Sequence, residues 1–307
     1  VAEASAPPRG DAWSDWLLHL RHSDDPDVER LVREDVARYV DRVLDAAQLA
    51  PGMTLADIGT GDGAVAFRAI ERVGADLQVV LTDISPAMLG HVEALAEQKH
   101  VRGQCRFLQG SADRLAGIED ASVHVVTTRA VLAYVADKPA ALREFLRILR
   151  PGGRLSIAEP ILQDDAFMAV ALRVQIESGT ANPQDRFLPL LHRWKAAQFP
   201  DTHEELARSP IANYSERNLF EYARRAGFID VHLEFHIDLL ATTNTSWEVF
   251  LRGSPHPLAP PLKVILAEQF NPEERGLFER VMRPLVESSE ATNVHRIVYL
   301  NAKKPMR

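Results

Sequence analysis

At 307 residues, with 46% apolar and 25% charged side chains, the chain has ordinary globular composition and length for one large core or a core with a smaller cap. A net charge of −8, with the basic residues scattered among the acids, argues against a nucleic-acid partner. The single cysteine, Cys105, excludes an internal disulfide and a thiolate zinc site, and no run approaches the roughly eighteen apolar residues of a membrane span.

In chain order, VAEASAPPRG (residues 1–10) reads as a mobile leader with no signal-peptide pattern, from which a cytoplasmic setting is expected. Residues 13–24 (WSDWLLHLRHSD) hold two tryptophans and two histidines. A helix is then predicted from Pro26 to Gln48, because Val28, Leu31, Val32, Val36, Tyr39, Val40, Val43 and Leu44 recur at three- and four-residue spacing.

Short apolar strands are predicted at 54–58, 77–82, 105–109, 123–128 and 154–159, with helix-length segments between them. Ser85-Pro86 and Pro139 open two of those helices, and Pro151-Gly152-Gly153 closes the second. Such alternation requires crossover connections, hence a parallel sheet with helices on both faces. Residues 161–213 carry helical pieces and no strand pattern. Ser215 then caps a helix that Gly227 ends. Residues 229–240 (IDVHLEFHIDLL) alternate apolar and polar, the pattern of a half-exposed edge or antiparallel strand. A second helical insertion fills 241–290, in which Asn271-Pro272-Glu273-Glu274 is a capping-box start, and 294–300 is the last strand. The expected architecture is an α/β, Rossmann-like, doubly wound sheet of seven strands, mostly parallel with an antiparallel last strand. Its expected parts are a helical lid (1–50), a core (51–160), a helical cap insertion (161–213) and a completing segment (214–307).

LADIGTGDG, residues 55–63, carries the first chemical signal. A strand running through glycines into a helix start presents bare amides and the positive helix end to a ligand. The same stretch also fits G-x-G-x-x-A (Gly59, Gly61, Ala64), a nicotinamide-enzyme pattern. Asp57 weighs against that alternative: a carboxylate there repels a pyrophosphate, whereas it holds a ligand bearing an ammonium and a sulfonium, such as S-adenosylmethionine. Asp83, after the second strand, suits two ribose hydroxyls and so argues for an adenosine nucleoside.

LADIGTGDG, LTDIS, QGSADRL, VVTTRAVLAYV and LRPGGRLSIAEP, in this order and spacing, resemble the successive motifs of class I S-adenosylmethionine-dependent methyltransferases. The branch they are most similar to includes the ubiquinone/menaquinone-biosynthesis type and natural-product enzymes. The resemblance implies S-adenosyl-L-methionine as cofactor and S-adenosyl-L-homocysteine as product. It places Asp57, Gly59, Thr60 and Gly61 at the methionine end, and Asp83 on the ribose with Ile84 against adenine. Where the family often has Gly-Asp-Ala, this chain has Gly110, Ser111 and Ala112, followed by Asp113, so Ser111 or Asp113 takes the adenine amino contact. Thr128 and Arg129 fall in the methyl-transfer region. Arg129 reads either as a satisfied structural arginine or as a clamp on an anionic substrate or the cofactor carboxylate.

Direct displacement at a methyl needs alignment more than a base, so catalytic candidates are optional. Tyr134 and His192 are the two singled out. Trp16, His22, Arg129, Tyr134, His192 and Trp194 are expected to line a pocket for a small-molecule acceptor. His256 reads as a loop histidine of the second insertion. His232 and His236 share a strand face but read as solvated, so no metal is expected. The absence of Asn/Asp-Pro-Pro-Tyr, of further cysteines and of acids in TTRA sets aside nucleobase-amine, arsenic and catechol-type methylation. The reading is methyl transfer to the O, N or C nucleophile of a small molecule in specialised metabolism, with no membrane partner and a homodimer as a possible assembly. A NAD-dependent oxidoreductase and a non-methylating S-adenosylmethionine-binding protein are the alternatives.

Overall fold

A computed structural model describes residues 10–180, 182–241, 246–288, 290 and 292–306. The leader expected at the start lies, except for Gly10, outside the described residues. Asp11 accepts the amides of Trp13 and Ser14 and so caps a short helix, α1 (Ala12–Asp15), which continues as a π-helical turn over Trp16–Leu20. Asp25 caps α2 (Pro26–Ala47), with proline in its first turn. The apolar stripe of α2 divides along its length. Val36, Val40, Val43 and Leu44 are buried, whereas Val28, Leu31 and Val32 face a cavity.

The strands are β1 (Thr54–Ile58), β2 (Gln78–Asp83), β3 (Cys105–Gln109), β4 (Val123–Arg129), β5 (Leu149–Pro160), β6 (Ile229–Ala241) and β7 (Thr292–Lys303). They form one sheet in the order β3-β2-β1-β4-β5-β7-β6. Pairings among β1–β5 are parallel, and β7 is antiparallel to both β5 and β6, so β7 alone runs against the rest. One face is covered by α2, α3 (Ala64–Val73) and α4 (Pro86–Gln98), the other by α5 (Lys138–Ile148) and α9 (Glu216–Ala226). Burial on both faces explains why the central strands read as nearly unbroken apolar runs.

β5 starts five residues earlier than predicted. Leu149 already pairs with Val123, and Pro151-Gly152-Gly153 is an irregularity inside the strand, where the Gly152 amide reaches the Lys304 carbonyl. A Cβ on Gly153 would lie 2.8 Å from the Arg150 carbonyl oxygen, which is why glycine stands there. β6 is the edge strand the alternation implies. Its inner side packs Val231, Leu233 and Phe235 on the α5/α9 core, while Ile237 and Leu239, 61% and 68% exposed, extend past it.

The two insertions share a core. The first contributes α7 (Leu188–Ala196) and the second α10 (Trp247–Arg252), α11 (Leu262–Gln269) and α12 (Pro272–Val286), while α6 (Gln163–Glu177) and α8 (His203–Arg208) of the first pack in a cluster of their own. Trp194 of α7 meets Phe250 and Phe278 edge-on at 6.0 and 5.6 Å. Asn271 and Glu274 form the expected capping box, and Glu274 also pairs with Arg193 across the insertions. The segment ahead of α2 is tied to this cap: Trp16 Nε1 donates to the Ser254 carbonyl (2.9 Å) and the Ser254 amide to the Leu20 carbonyl (3.2 Å). Cap and N-terminal segment therefore meet above the C-terminal ends of β1, β2, β4 and β5. Among the described residues, no helix is long and apolar enough to cross a membrane.

Candidate active site

The glycine turn after β1 is built for close approach. Gly59 holds φ +66°, and a Cβ on it would lie 2.4 Å from Val131 Cγ2. The Gly61 amide donates to Asp83 Oδ2 (2.9 Å), and the Ser85 amide donates to Asp83 Oδ1 (2.9 Å). One carboxylate at the end of β2 therefore fixes both the turn before α3 and the start of α4. Burial raises the Asp83 pKa, against the lowering effect of the Ser85 and Gly61 amides. The Gly110 amide donates to the Asp83 carbonyl (3.0 Å), which keeps Ser111–Asp113 beside it.

Beneath the turn, Asp57 accepts hydrogen bonds from the hydroxyls of Thr60 (2.8 Å) and Thr127 (2.9 Å). Only 2% exposed, it is pushed up to about 6 by burial, with the two hydroxyls opposing the shift. Glu159, at the end of β5, is the equivalent support for the β4 end. It accepts the Thr128 hydroxyl (2.6 Å) and the amides of Val131 (2.9 Å) and Leu132 (2.8 Å), and burial pushes it up to about 7. Between these contacts Ala130 takes a left-handed φ of +56°, its amide held by the Ala158 carbonyl (2.9 Å). A non-glycine residue in that conformation is strained, and the neighbouring hydrogen bonds hold it there. The result is a fixed turn presenting Arg129 and Tyr134.

These elements open into a cavity of about 1380 Å³. Gly59, Gly61, Asp83, Ile84, Ser111, Ala112, Asp113 and Arg129 line its floor, and Trp16, Tyr134 and Trp194 line it from the surrounding helices. Five predicted contacts do not reach it. Asp57, Thr60 and Thr128 point into the sheet, where the two hydroxyls serve the buried carboxylates of Asp57 and Glu159. His192, a catalytic expectation, is turned away, with Nε2 on Asp201 Oδ2 (2.8 Å). His22 is half-buried with Nδ1 unpartnered among the described residues, outside the cavity wall. His256 is not a surface histidine: it is 2% exposed, and its Nε2 meets the Gln198 carbonyl (2.8 Å), joining the insertions. His232 and His236 each bond Glu234 (3.2 Å), and no group of three or more His, Cys, Asp or Glu among the described residues is placed to hold a metal.

The cavity also recruits residues that periodicity had assigned to packing or left without a role. Arg21 lines it from the turn after Leu20. Tyr39 of α2 shares a 2.8 Å hydrogen bond with His295 Nδ1 at the start of β7, and both side chains line the wall. Lys195 and Asp165 face the cavity from α7 and α6. The one signal for Glu159 in the sequence is a carboxylate closing an apolar strand in SIAEP.

An adenosine-type cofactor fits this floor. Asp83 retains acceptor capacity beside its two amides, Ile84 presents a 51% exposed apolar side chain, and the space over Gly61 is bounded by Leu17 of the N-terminal segment, 3.2 Å from where a Cβ would sit.

The sheet order and glycine turn define an α/β nucleoside-binding protein. A family profile described as a methyltransferase domain matches residues 49–199. The chain is 37% identical over 116 residues to the ubiquinone/menaquinone biosynthesis C-methyltransferase UbiE of Idiomarina loihiensis, covering 38% of this chain and 46% of that protein. It is 36% identical over 120 residues to the nocamycin O-methyltransferase of Saccharothrix syringae, covering 39% and 42%. The chain thus spans about half the length of these curated relatives. The YcgJ protein from Bacillus subtilis shares the fold at a TM-score of 0.55 and 16% identity, over 87% of this chain and 98% of that one. Over residues 49–199 the chain thus carries a methyltransferase domain of the class I S-adenosylmethionine-dependent kind, whose cofactor is S-adenosylmethionine.

Proposed function

We propose that the protein transfers a methyl group from S-adenosylmethionine to the oxygen, nitrogen or carbon nucleophile of a small-molecule acceptor in specialised metabolism. The observation that carries this reading is the Gly61–Asp83 link on the floor of a cavity roomy enough for a nucleoside and an acceptor together. Asp83 accepts the ribose hydroxyls, Ile84 packs on adenine, and Ser111, Ala112 and Asp113 meet the base edge. Gly59 leaves room for the methionyl chain. Asp57 acts from below by holding Thr60 and Thr127, a positioning role in place of the direct contact expected of it.

When bound, the cofactor supplies an electrophilic methyl on a sulfonium. The chain has to align an acceptor with it and keep water out. Trp13 and Tyr134, in edge-on contact at 5.0 Å, close the cavity between the N-terminal segment and β4. Burial raises the Tyr134 pKa strongly, so its phenol stays protonated and donates rather than accepts a proton at neutral pH. Residues 10–50 act as the lid over a core at 51–160. The insertions at 161–213 and 241–290 form the cap that selects the acceptor.

The test is acceptor-dependent formation of S-adenosylhomocysteine across a panel of small phenols, acids and amines. Turnover that Asp83→Ala abolishes supports the assignment. Cofactor binding without turnover across a broad panel favours a non-methylating role.

A further inference from the structure

Two guanidinium groups face the cavity without a counter-ion. Arg21, following the π-helical turn, and Arg129, the last residue of β4, both line it. Among the described residues neither side chain donates a hydrogen bond, and neither lies within 4.0 Å of an acid. Arg21 lies over the Trp16 ring, its guanidinium carbon 5.5 Å from the centroid. Burial brings Arg21 down to about 10, and Arg129 is the next contributor to that lowering, so the two cations feel each other.

The nearby acids offset this charge without pairing with it: Asp62 opposes the lowering at Arg21, and Asp83, Asp113 and Asp165 line the same cavity. Asp57 and Glu159 sit behind the cavity wall, engaged by hydroxyls and amides. A cofactor does not settle it either. Its ammonium and sulfonium outweigh its single carboxylate, so binding adds net positive charge to a region already carrying two unpaired cations. Two neighbouring, partly buried cations with no ion-pair partner disfavour each other, and the group that relieves both is an anion. The Ala130 turn, with its amide on the Ala158 carbonyl, fixes the backbone from which Arg129 reaches the cavity.

Building on the methyltransferase reading, we propose that the acceptor is an organic acid, an apolar skeleton whose carboxylate or acidic enol oxygen is held between Arg21 and Arg129. The aromatic wall of Trp13, Trp16 and Tyr134 fits the skeleton, and the paired guanidinia fit the anionic group bidentately. The specificity is electrostatic: a neutral analogue of the same shape leaves both cations unpaired.

The experiment titrates the S-adenosylhomocysteine-loaded protein with 2-naphthoate and with its neutral isostere 2-naphthamide. The wild type is expected to prefer the acid by about tenfold or more. Arg21→Met and Arg129→Met should each remove most of that preference, while S-adenosylhomocysteine affinity changes by less than about threefold. Without ligand, both variants should melt above the wild type, because each removes one of two repelling charges. Equal binding of acid and amide by the wild type overturns the proposal. So does a loss of S-adenosylhomocysteine affinity of about tenfold in the variants with 5′-methylthioadenosine binding unchanged, which would assign the pair to the cofactor carboxylate. Preference for the acid in a wild type that binds no S-adenosylhomocysteine would keep the anion site and sink the methyltransferase reading instead.

Discussion

The Gly61 amide donates a 2.9 Å hydrogen bond to the Asp83 carboxylate, so the turn after β1 and the acid that closes β2 form one unit. While the Glu159-held turn after β4 supports Arg129, this unit supports the floor at Gly61, Asp83 and Ser85. Its removal is therefore the sharpest local perturbation available.

Asp83→Ala leaves the Gly61 and Ser85 amides without their acceptor. The expected cost is about 1–3 kcal/mol of stability, together with at least about a tenfold loss of S-adenosylhomocysteine affinity. Asp83→Asn keeps one acceptor oxygen and should recover part of the stability but little of the affinity. Calorimetry and urea unfolding on the two variants check this. Wild-type affinity in either variant would remove Asp83 from the cofactor site.

Gly59→Ala should destabilise by about 1–3 kcal/mol, because the new methyl falls 2.4 Å from Val131 Cγ2 and the backbone is left-handed. Adding Val131→Ala relieves the clash and not the backbone strain, so the double variant should regain only part of the loss. Full recovery would show that the conformation itself costs little.

Glu159 keeps its proton to about pH 7 in the folded chain, against an ordinary value of 4.5. Between these values the folded state binds more protons than the unfolded one, so its contribution to stability falls as pH rises. The penalty is absent below about 4.5 and complete above about 7, on the order of 3 kcal/mol. Asp57, at about 6 against 3.8, acts in the same direction over a lower window. Glu159→Gln should therefore lose less stability than the wild type when unfolding is followed from about pH 5 to about pH 7.5. Parallel curves for the two proteins would contradict the assignment.

Trp16→Phe keeps an aromatic ring and removes the 2.9 Å bond to the Ser254 carbonyl. With about 1 kcal/mol of lid closure lost, amide exchange over residues 12–24 should speed up by about fivefold, with the sheet unaffected. Unchanged exchange there would mean that the indole bond does not hold the lid.

The sheet was legible because its strands are buried on both faces and its turns carry glycine or proline. Thr54–Ile58 and Cys105–Gln109 match their predicted bounds, and the alternation of 229–240 placed β6 at an edge. The cavity floor was partly legible, since glycine spacing and a strand-end acid are local signals. What side chains do across the sheet is not local. Thr60 and Thr128 look like ligand contacts in the motif, yet each hydroxyl turns inward to a buried carboxylate. Tyr39 belongs to a helical stripe that reads as core, and only the fold of α2 across β5 and β7 brings it to His295. His192 was misread for a similar reason: nothing near it in sequence announces Asp201 as its partner across the bend after α7.

The central claim is that this floor binds S-adenosylmethionine, and parallel calorimetric titration with S-adenosylmethionine, S-adenosylhomocysteine and NADH tests it most directly. Micromolar binding of the first two, with none of NADH, is the predicted result. Binding of NADH alone, or of none of the three, would contradict it.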